Sequence, residues 1–217
     1  MTPPLQKIID RVQGNEERIW VFCGDSITHG AYHTFGRRDY VELVQERVRA
    51  ECGKTLHLFV NSGINGDTTV GILEKLNFRV IQFQPDVFSL MIGMNDSRNL
   101  PLEDYEKNLR EIVSRVRAET SAEVLLQTCC AIHPKECPQR LHYPEFMDAC
   151  RRVAADMETA LIDHHVEWEK VRITDRATFA SWMDNEFHPG ALGHWVFADK
   201  ILRDLELGPI ADCSPPA

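Results

Sequence analysis

A chain of 217 residues with 43% hydrophobic and 26% charged residues can bury a sizeable core and has the make-up of an ordinary globular protein. A formal net charge of −9, with no basic run longer than Arg37-Arg38 or Arg151-Arg152, argues against nucleic acid or an anionic membrane as the partner. The first ten residues lack the apolar core of a secretory signal and no stretch approaches a membrane span, so the expectation is a cytoplasmic protein acting on a small, neutral or weakly charged molecule.

Seven cysteines, an odd number, are scattered without disulfide-framework or zinc spacing, and most of them read as buried reduced thiols. The Pro-rich ends read as disordered. No internal repeat or low-complexity linker divides the chain, so residues 1–217 are expected to form a single domain.

The first element is a short apolar run, Ile19 to Cys23, rich in strand formers and suited to a strand covered on both faces, as in a parallel sheet. It breaks abruptly into Gly24-Asp25-Ser26-Ile27-Thr28-His29-Gly30. Gly24 permits a backbone geometry that a side chain would block, and Ser26 falls just past the strand's carboxyl end, the edge at which open α/β sheets bind ligands. A serine there is a nucleophile if a base reaches it, and otherwise a turn residue bonding its own backbone. Asp25 reads as a turn residue of that second kind.

Asp39 to Cys52 has Val41, Leu43, Val44 and Val48 at mostly helical spacing, with Gly53 as a stop. Leu56 to Val60 is a second strand, followed by Asn61-Ser62-Gly63-Ile64-Asn65-Gly66-Asp67. The spacing from Thr68 predicts one helix to about Phe83. Val87 to Ile92 is a third strand, closing on Gly93-Met94-Asn95-Asp96, where Asn95 and Asp96 could also cap the helix that follows. Leu102 to Glu119 is the clearest amphipathic helix, with Tyr105, Leu109, Ile112, Val113 and Val116 on one face.

Ala122 to Thr128 is a fourth strand. The stretch Ala131 to Pro144, with three prolines, reads as a long loop overhanging the Ser26 edge. A helix from about Tyr143 to Thr159, a short strand Leu161-Ile162, and a last helix from about Gly190 to Leu205 complete the pattern. Strands alternating with helices imply right-handed crossovers and a mostly parallel five-stranded sheet in a three-layer αβα sandwich.

In such a sheet all carboxyl ends share one edge, so Ser26, Gly66 and Asn95 converge there. Serine hydrolysis needs a nucleophile, a base, and donors aimed at the developing oxyanion. Ser26 offers its hydroxyl and its own N–H, Gly66 an unobstructed N–H and Asn95 a side-chain NH₂, while His188, just before the last helix, offers the base. His194 reads as a packing residue on that helix. His164-His165 and the set His29 and His33 lack the carboxylate or cysteine spacing of a metal site and read as solvated histidines. No metal and no cofactor is expected.

Gly24-Asp25-Ser26-Ile27 resembles the first block of the GDSL esterase and lipase family, the SGNH hydrolases. Asn61 to Thr68 is similar to its second block, Gly93-Met94-Asn95-Asp96 to its third, and His188-Pro189 with Gly193-His194 to its last. The four blocks stand in family order between residues 24 and 194. The resemblance implies a flavodoxin-like sandwich and no metal. It implies Ser26 as nucleophile, His188 as base, and Ser26 N–H, Gly66 N–H and the Asn95 side chain as oxyanion hole.

One departure stands out. Where the family places an aspartate three residues before the histidine, this chain has Asn185, with Asp184 one residue further back. Charge favours Asp184 as the group that orients the imidazole, whereas spacing favours Asn185. The expected chemistry is ester hydrolysis through an acyl-enzyme, on a short-acyl soluble or carbohydrate ester. The alternatives are a lysophospholipase or thioesterase of the same family, and a catalytically silent binding protein on this fold.

Overall fold

The computed structural model describes residues 3–30, 32–133 and 135–208. Five strands, β1 (Arg18–Gly24), β2 (His57–Asn61), β3 (Val87–Met91), β4 (Glu123–Gln127) and β5 (Ala160–Ile162), pair in parallel in the order β2-β1-β3-β4-β5. Every residue of β3, and Trp20, Val21, Phe22 and Cys23 of β1, is buried, as central strands covered on both faces must be. The edge strand β2 instead leaves Leu58 exposed.

The chain steps from β1 outward to β2, then returns past β1 to β3. The loops leaving β1 and β3 therefore part in opposite directions and open a crevice at the carboxyl edge, the switch point of a doubly wound sheet. Register puts Gly24 at the end of β1 beside Met91 at the end of β3, so the residues that follow them start side by side.

The helices are α1 (Pro4–Gln13), α2 (Ser26–His29), α3 (Tyr40–Glu46), α4 (Thr69–Glu74), α5 (Leu76–Arg79), α6 (Asp96–Asn99), α7 (Leu102–Glu119), α8 (Tyr143–Asp156), α9 (His164–Thr174), α10 (Arg176–Trp182) and α11 (Ala191–Asp204). On the sandwich's helical layers α11 packs against α3 and α10, and α7 packs between α4 and α8. The α7 stripe expected from sequence, Tyr105, Leu109, Ile112, Val113 and Val116, is the face it buries. None of the described helices is long and apolar enough to cross a membrane.

Three expectations are corrected. The helix expected over residues 68–83 is broken at Lys75, whose φ of −120° and ψ of 18° leave helical space, and is followed by a single 3₁₀ turn at Ile81–Phe83. Beyond the break Arg79 is buried, reaching the loops at the sheet edge, a task a straight exposed helix face would not allow. The N-terminal prolines are part of a helix start, Pro3 as N-cap and Pro4 opening α1, a position where a missing N–H costs nothing; the C-terminal prolines lie outside the described residues. Helices α9 and α10 were not anticipated, because charged residues interrupt the apolar face of the first and the second is only seven residues long.

Of the cysteines, Cys23, Cys129, Cys130, Cys137 and Cys150 are buried and unpaired, and Cys52 is half-buried. Cys213 lies outside the described residues.

Candidate active site

Ser26 is where the buried strand β1 ends. Asp25 closes the strand by accepting the Ile27 N–H on Oδ1 at 2.9 Å, which starts the single turn of α2 and leaves Ser26 half-buried at its first position. Gly24 serves this junction through space rather than an unusual dihedral. A Cβ there would overlap the Met91 carbonyl of the neighbouring strand and the Thr28 hydroxyl.

The Ser26 Oγ lies 2.8 Å from Nε2 of His188, which arrives from the far end of the chain. His188 sits in a tight turn between α10 and α11. Met183 and Pro189 form an isolated antiparallel bridge across it, and the Asp184 N–H donates to the His188 carbonyl at 2.9 Å.

Within that turn Asn185 Oδ1 accepts from the N–H groups of Phe187 (3.2 Å) and His188 (2.9 Å), and meets the His188 ring at Nδ1 (3.2 Å). The two backbone donors fix which end of the amide faces the ring, so Nδ1 carries the proton and Nε2 is free to accept from the serine. Asp184 does not face His188 at Nδ1. Its Oδ2 lies 2.7 Å from Nδ1 of His33. Charge points to Asp184 and spacing to Asn185, and it is Asn185 that meets the ring: three-residue spacing turns its side chain back onto His188, and four-residue spacing sends the Asp184 carboxylate past it to His33.

Burial lowers His188 from its ordinary value to about 4, His33 and Arg140 push in the same direction, and Asp184 opposes them. The ring is accordingly neutral at pH 7, the form a base requires.

The second and third blocks converge on this pair. Gly66 stands at φ 75°, a left-handed conformation; a Cβ there would meet nothing within 4 Å, so it is the backbone dihedral that calls for glycine. Among the described residues, no backbone hydrogen bond uses the N–H of Ser26 or of Gly66. Asn95 occupies the N-cap position of α6 without capping it. Its Nδ2 donates instead to the Asp67 carbonyl at 3.0 Å, and its approach to Asp25 Oδ2, at 3.5 Å, is too long to hold a second N–H firmly.

Asp96 does not cap its own helix either. Its Oδ1 accepts from the N–H (2.9 Å) and hydroxyl (2.6 Å) of Thr69 at the start of α4, tying the third block to the second. Burial raises the Asp25 carboxyl to about 7 and that of Asp96 to about 6.

Arg79, which sequence reasoning passed over, locks the junction from below. It is 2% exposed, pairs with Asp67, and donates from Nη2 to the carbonyls of Gly24 (3.1 Å), the end of β1, and Ser62 (2.6 Å), the residue after β2.

Ser26, Gly66, Asn95 and His188 open onto one cleft of about 410 Å³, whose other walls are Tyr32, His33, Asn65, Arg98, Arg140 and Phe187. Arg140 comes from the long loop after β4, which does overhang the Ser26 edge. It donates Nε to the Met94 carbonyl (3.1 Å) and lays its guanidinium 4.2 Å from the Phe187 ring centre.

The histidines read as solvated need correction. His164 is fully buried with Nε2 2.8 Å from Gln127 Oε1, His165 is buried, and His33 stacks on His188; only His29 is exposed. His194 is buried and accepts the Tyr40 N–H on Nδ1, a packing role, and burial lowers its pKa to about 3. Among the described residues no group of three or more histidine, cysteine or carboxylate side chains could hold a metal. Arg140 and His33 left no spacing signal because each comes from an irregular loop whose approach to the site is set by tertiary packing.

Residues 22–196 match the GDSL-like lipase/acylhydrolase family. The chain belongs to that family. Among curated relatives, an acetylxylan esterase of Geobacillus stearothermophilus is 24% identical over 212 residues, covering 88% of this chain and 95% of the relative. An isoamyl acetate-hydrolyzing esterase 1 homolog of Rattus norvegicus is 27% identical, over 87% and 84% respectively. Among solved structures, the Geobacillus acetylxylan esterase Axe2 superposes with a TM-score of 0.74 at 24% identity over 87% of this chain and 94% of that one. LAE5, an alpha/beta hydrolase from the metagenome of Lake Arreo, reaches 0.77 over 90% and 98%. These structural likenesses carry the fold.

Proposed function

We propose that this family member is a serine esterase that removes short acyl groups, acetyl above all, from small or carbohydrate alcohols through an acyl-enzyme on Ser26. The observation that carries the reading is the 2.8 Å contact between Ser26 Oγ and Nε2 of His188, whose other nitrogen meets Asn185. His188 Nε2 takes the hydroxyl proton as Oγ attacks the acyl carbonyl, and the N–H groups of Ser26 and Gly66 with the Asn95 amide receive the oxyanion. The resulting imidazolium then protonates the departing alcohol, and the neutral ring activates water to release the acid.

Asn185 holds the tautomer without supplying charge, so the imidazolium is less stabilised here than beside an aspartate. Support for a short acyl group comes from the acetylxylan and isoamyl acetate esterases among the relatives and from the modest cleft. The test is an acyl-chain series of p-nitrophenyl esters together with acetylated xylo-oligosaccharides, each against a Ser26→Ala control. Turnover highest for acetyl and lost in the control supports the proposal. A maximum at long acyl or thioester substrates would move the assignment to a lysophospholipase or thioesterase, and no turnover on any substrate would leave a binding protein on this fold.

A further inference from the structure

The Asn185 contact leaves the His188 ring poorly held. Apart from the contact with Ser26 itself, one bond of 3.2 Å at Nδ1 allows the ring to tip about the Nδ1–Oδ1 direction, and tipping swings Nε2 away from Ser26. Something else must set the plane. The His33 ring stacks on that of His188, with centroids 3.6 Å apart and planes 13° from parallel. The separation is shorter than in ordinary aromatic pairs. The Phe187 ring, 4.3 Å away and tilted by 43°, adds a second, looser contact.

His33 is itself anchored. Its Nδ1 donates to Asp184 Oδ2 at 2.7 Å, and its side chain is 14% exposed. Its neighbours Tyr32 and Phe35 are 76% and 77% exposed. The segment between α2 and α3 thus leaves two aromatic side chains in water while turning a histidine inward, which burial of apolar surface does not explain.

We propose that His33 is a positioning residue for His188, and that Asp184 acts on the catalytic ring through His33 instead of by bonding it. The carboxylate usual at the third triad position is then retained at one remove. Asp184 fixes His33, His33 fixes the plane of His188, and Asn185 fixes its tautomer. This inference rests on the reading of His188 as the base.

The test is a double-mutant cycle read in kcat, KM and Tm on an acetyl ester, with His33→Ala, His33→Phe, Asp184→Asn and the double variant His33→Phe/Asp184→Asn. His33→Ala should lower kcat roughly 10- to 100-fold, the scale of an ångström-sized misplacement, with KM almost unchanged. His33→Phe keeps a flat ring on His188 and should recover part of that loss. Asp184→Asn should lower kcat in the native background and have no further effect beside His33→Phe, because its route to the ring is gone.

An unchanged kcat in His33→Ala, or an equal loss from Asp184→Asn in both backgrounds, would overturn the proposal. If His33→Ala fails to fold, the cycle built on His33→Phe still decides between shared and independent action. A His188→Ala control separates this outcome from failure of the underlying assignment. If that control keeps full activity, the base itself is misassigned; if it is inactive while the cycle shows no coupling, only the positioning role falls.

Discussion

The two halves of the site are built differently. The serine half, Ser26, Gly66 and Asn95, hangs on the loops that leave β1, β2 and β3, which pair in parallel and are cross-tied by the buried side chains of Arg79 and Asp96. The histidine half sits in a turn closed by one isolated bridge and is held by an amide and by ring contacts. A sheet edge positions groups through main-chain hydrogen bonds that tolerate little adjustment, whereas a loop relies on side chains that can be exchanged. In this chain the residue that meets His188 on the loop side is the Asn185 amide, and the Asp184 carboxylate next to it meets His33.

The contrast can be broken at the sheet edge first. On the proposed mechanism Asn95→Ala removes a donor from the oxyanion hole and should lower kcat roughly 10²- to 10³-fold with little change in KM. Steady-state kinetics on an acetyl ester check this, and a loss confined to KM would contradict the role. Arg79→Met should act on the same half through the fold. It strands Asp67 and two strand-end carbonyls, at a cost of about 3 kcal/mol, the low end for a buried pair losing one partner. Thermal or urea unfolding should register it, together with a fall in kcat.

On the histidine side Asn185→Ala should cost less, roughly 10- to 100-fold in kcat, because stacking still holds the ring. Asn185→Asp should do the opposite. A carboxylate against Nδ1 favours the imidazolium, so His188 rises from about 4 and the acid limb of the kcat/KM profile moves upward in pH. In the unmodified protein that limb should lie near pH 4, since base function is lost only when the ring protonates. A limb near pH 6.5 would show that the ring is not buried as described.

What was legible in the sequence follows the same division. Strands and the α7 helix were readable because apolar periodicity is a local consequence of a sheet covered on both faces, and the convergence of Ser26, Gly66 and Asn95 because each follows a strand at an edge that parallel topology makes common. The partner of His188 was not. Asp184 and Asn185 are adjacent, and which side chain faces the ring depends on the backbone of a turn closed by residues 183 and 189. His33 and Arg140 were equally hidden, as loop residues without period. The break at Lys75 escaped because its purpose, turning Arg79 inward, is a tertiary contact.

The smallest expected effect concerns charge buried at the sheet edge. Burial raises Asp25 from 3.8 to about 7, so between those values the folded state holds a proton that the unfolded chain has released. Stability from this group is therefore present at low pH and lost as pH rises toward 7. Asp25→Asn, which keeps an acceptor for the Ile27 N–H, should raise Tm by a few degrees at pH 8 and leave it nearly unchanged at pH 4. An equal shift at both pH values would place its origin outside this carboxyl.

The claim on which both halves depend is that Ser26 is the nucleophile and His188 its base. Labelling the purified protein with a fluorophosphonate and mapping the adduct by peptide mass spectrometry tests it directly. A single adduct on Ser26 is expected, strongly slowed in His188→Ala and absent in Ser26→Ala together with ester turnover. An adduct on another residue, or undiminished turnover in Ser26→Ala, would contradict it.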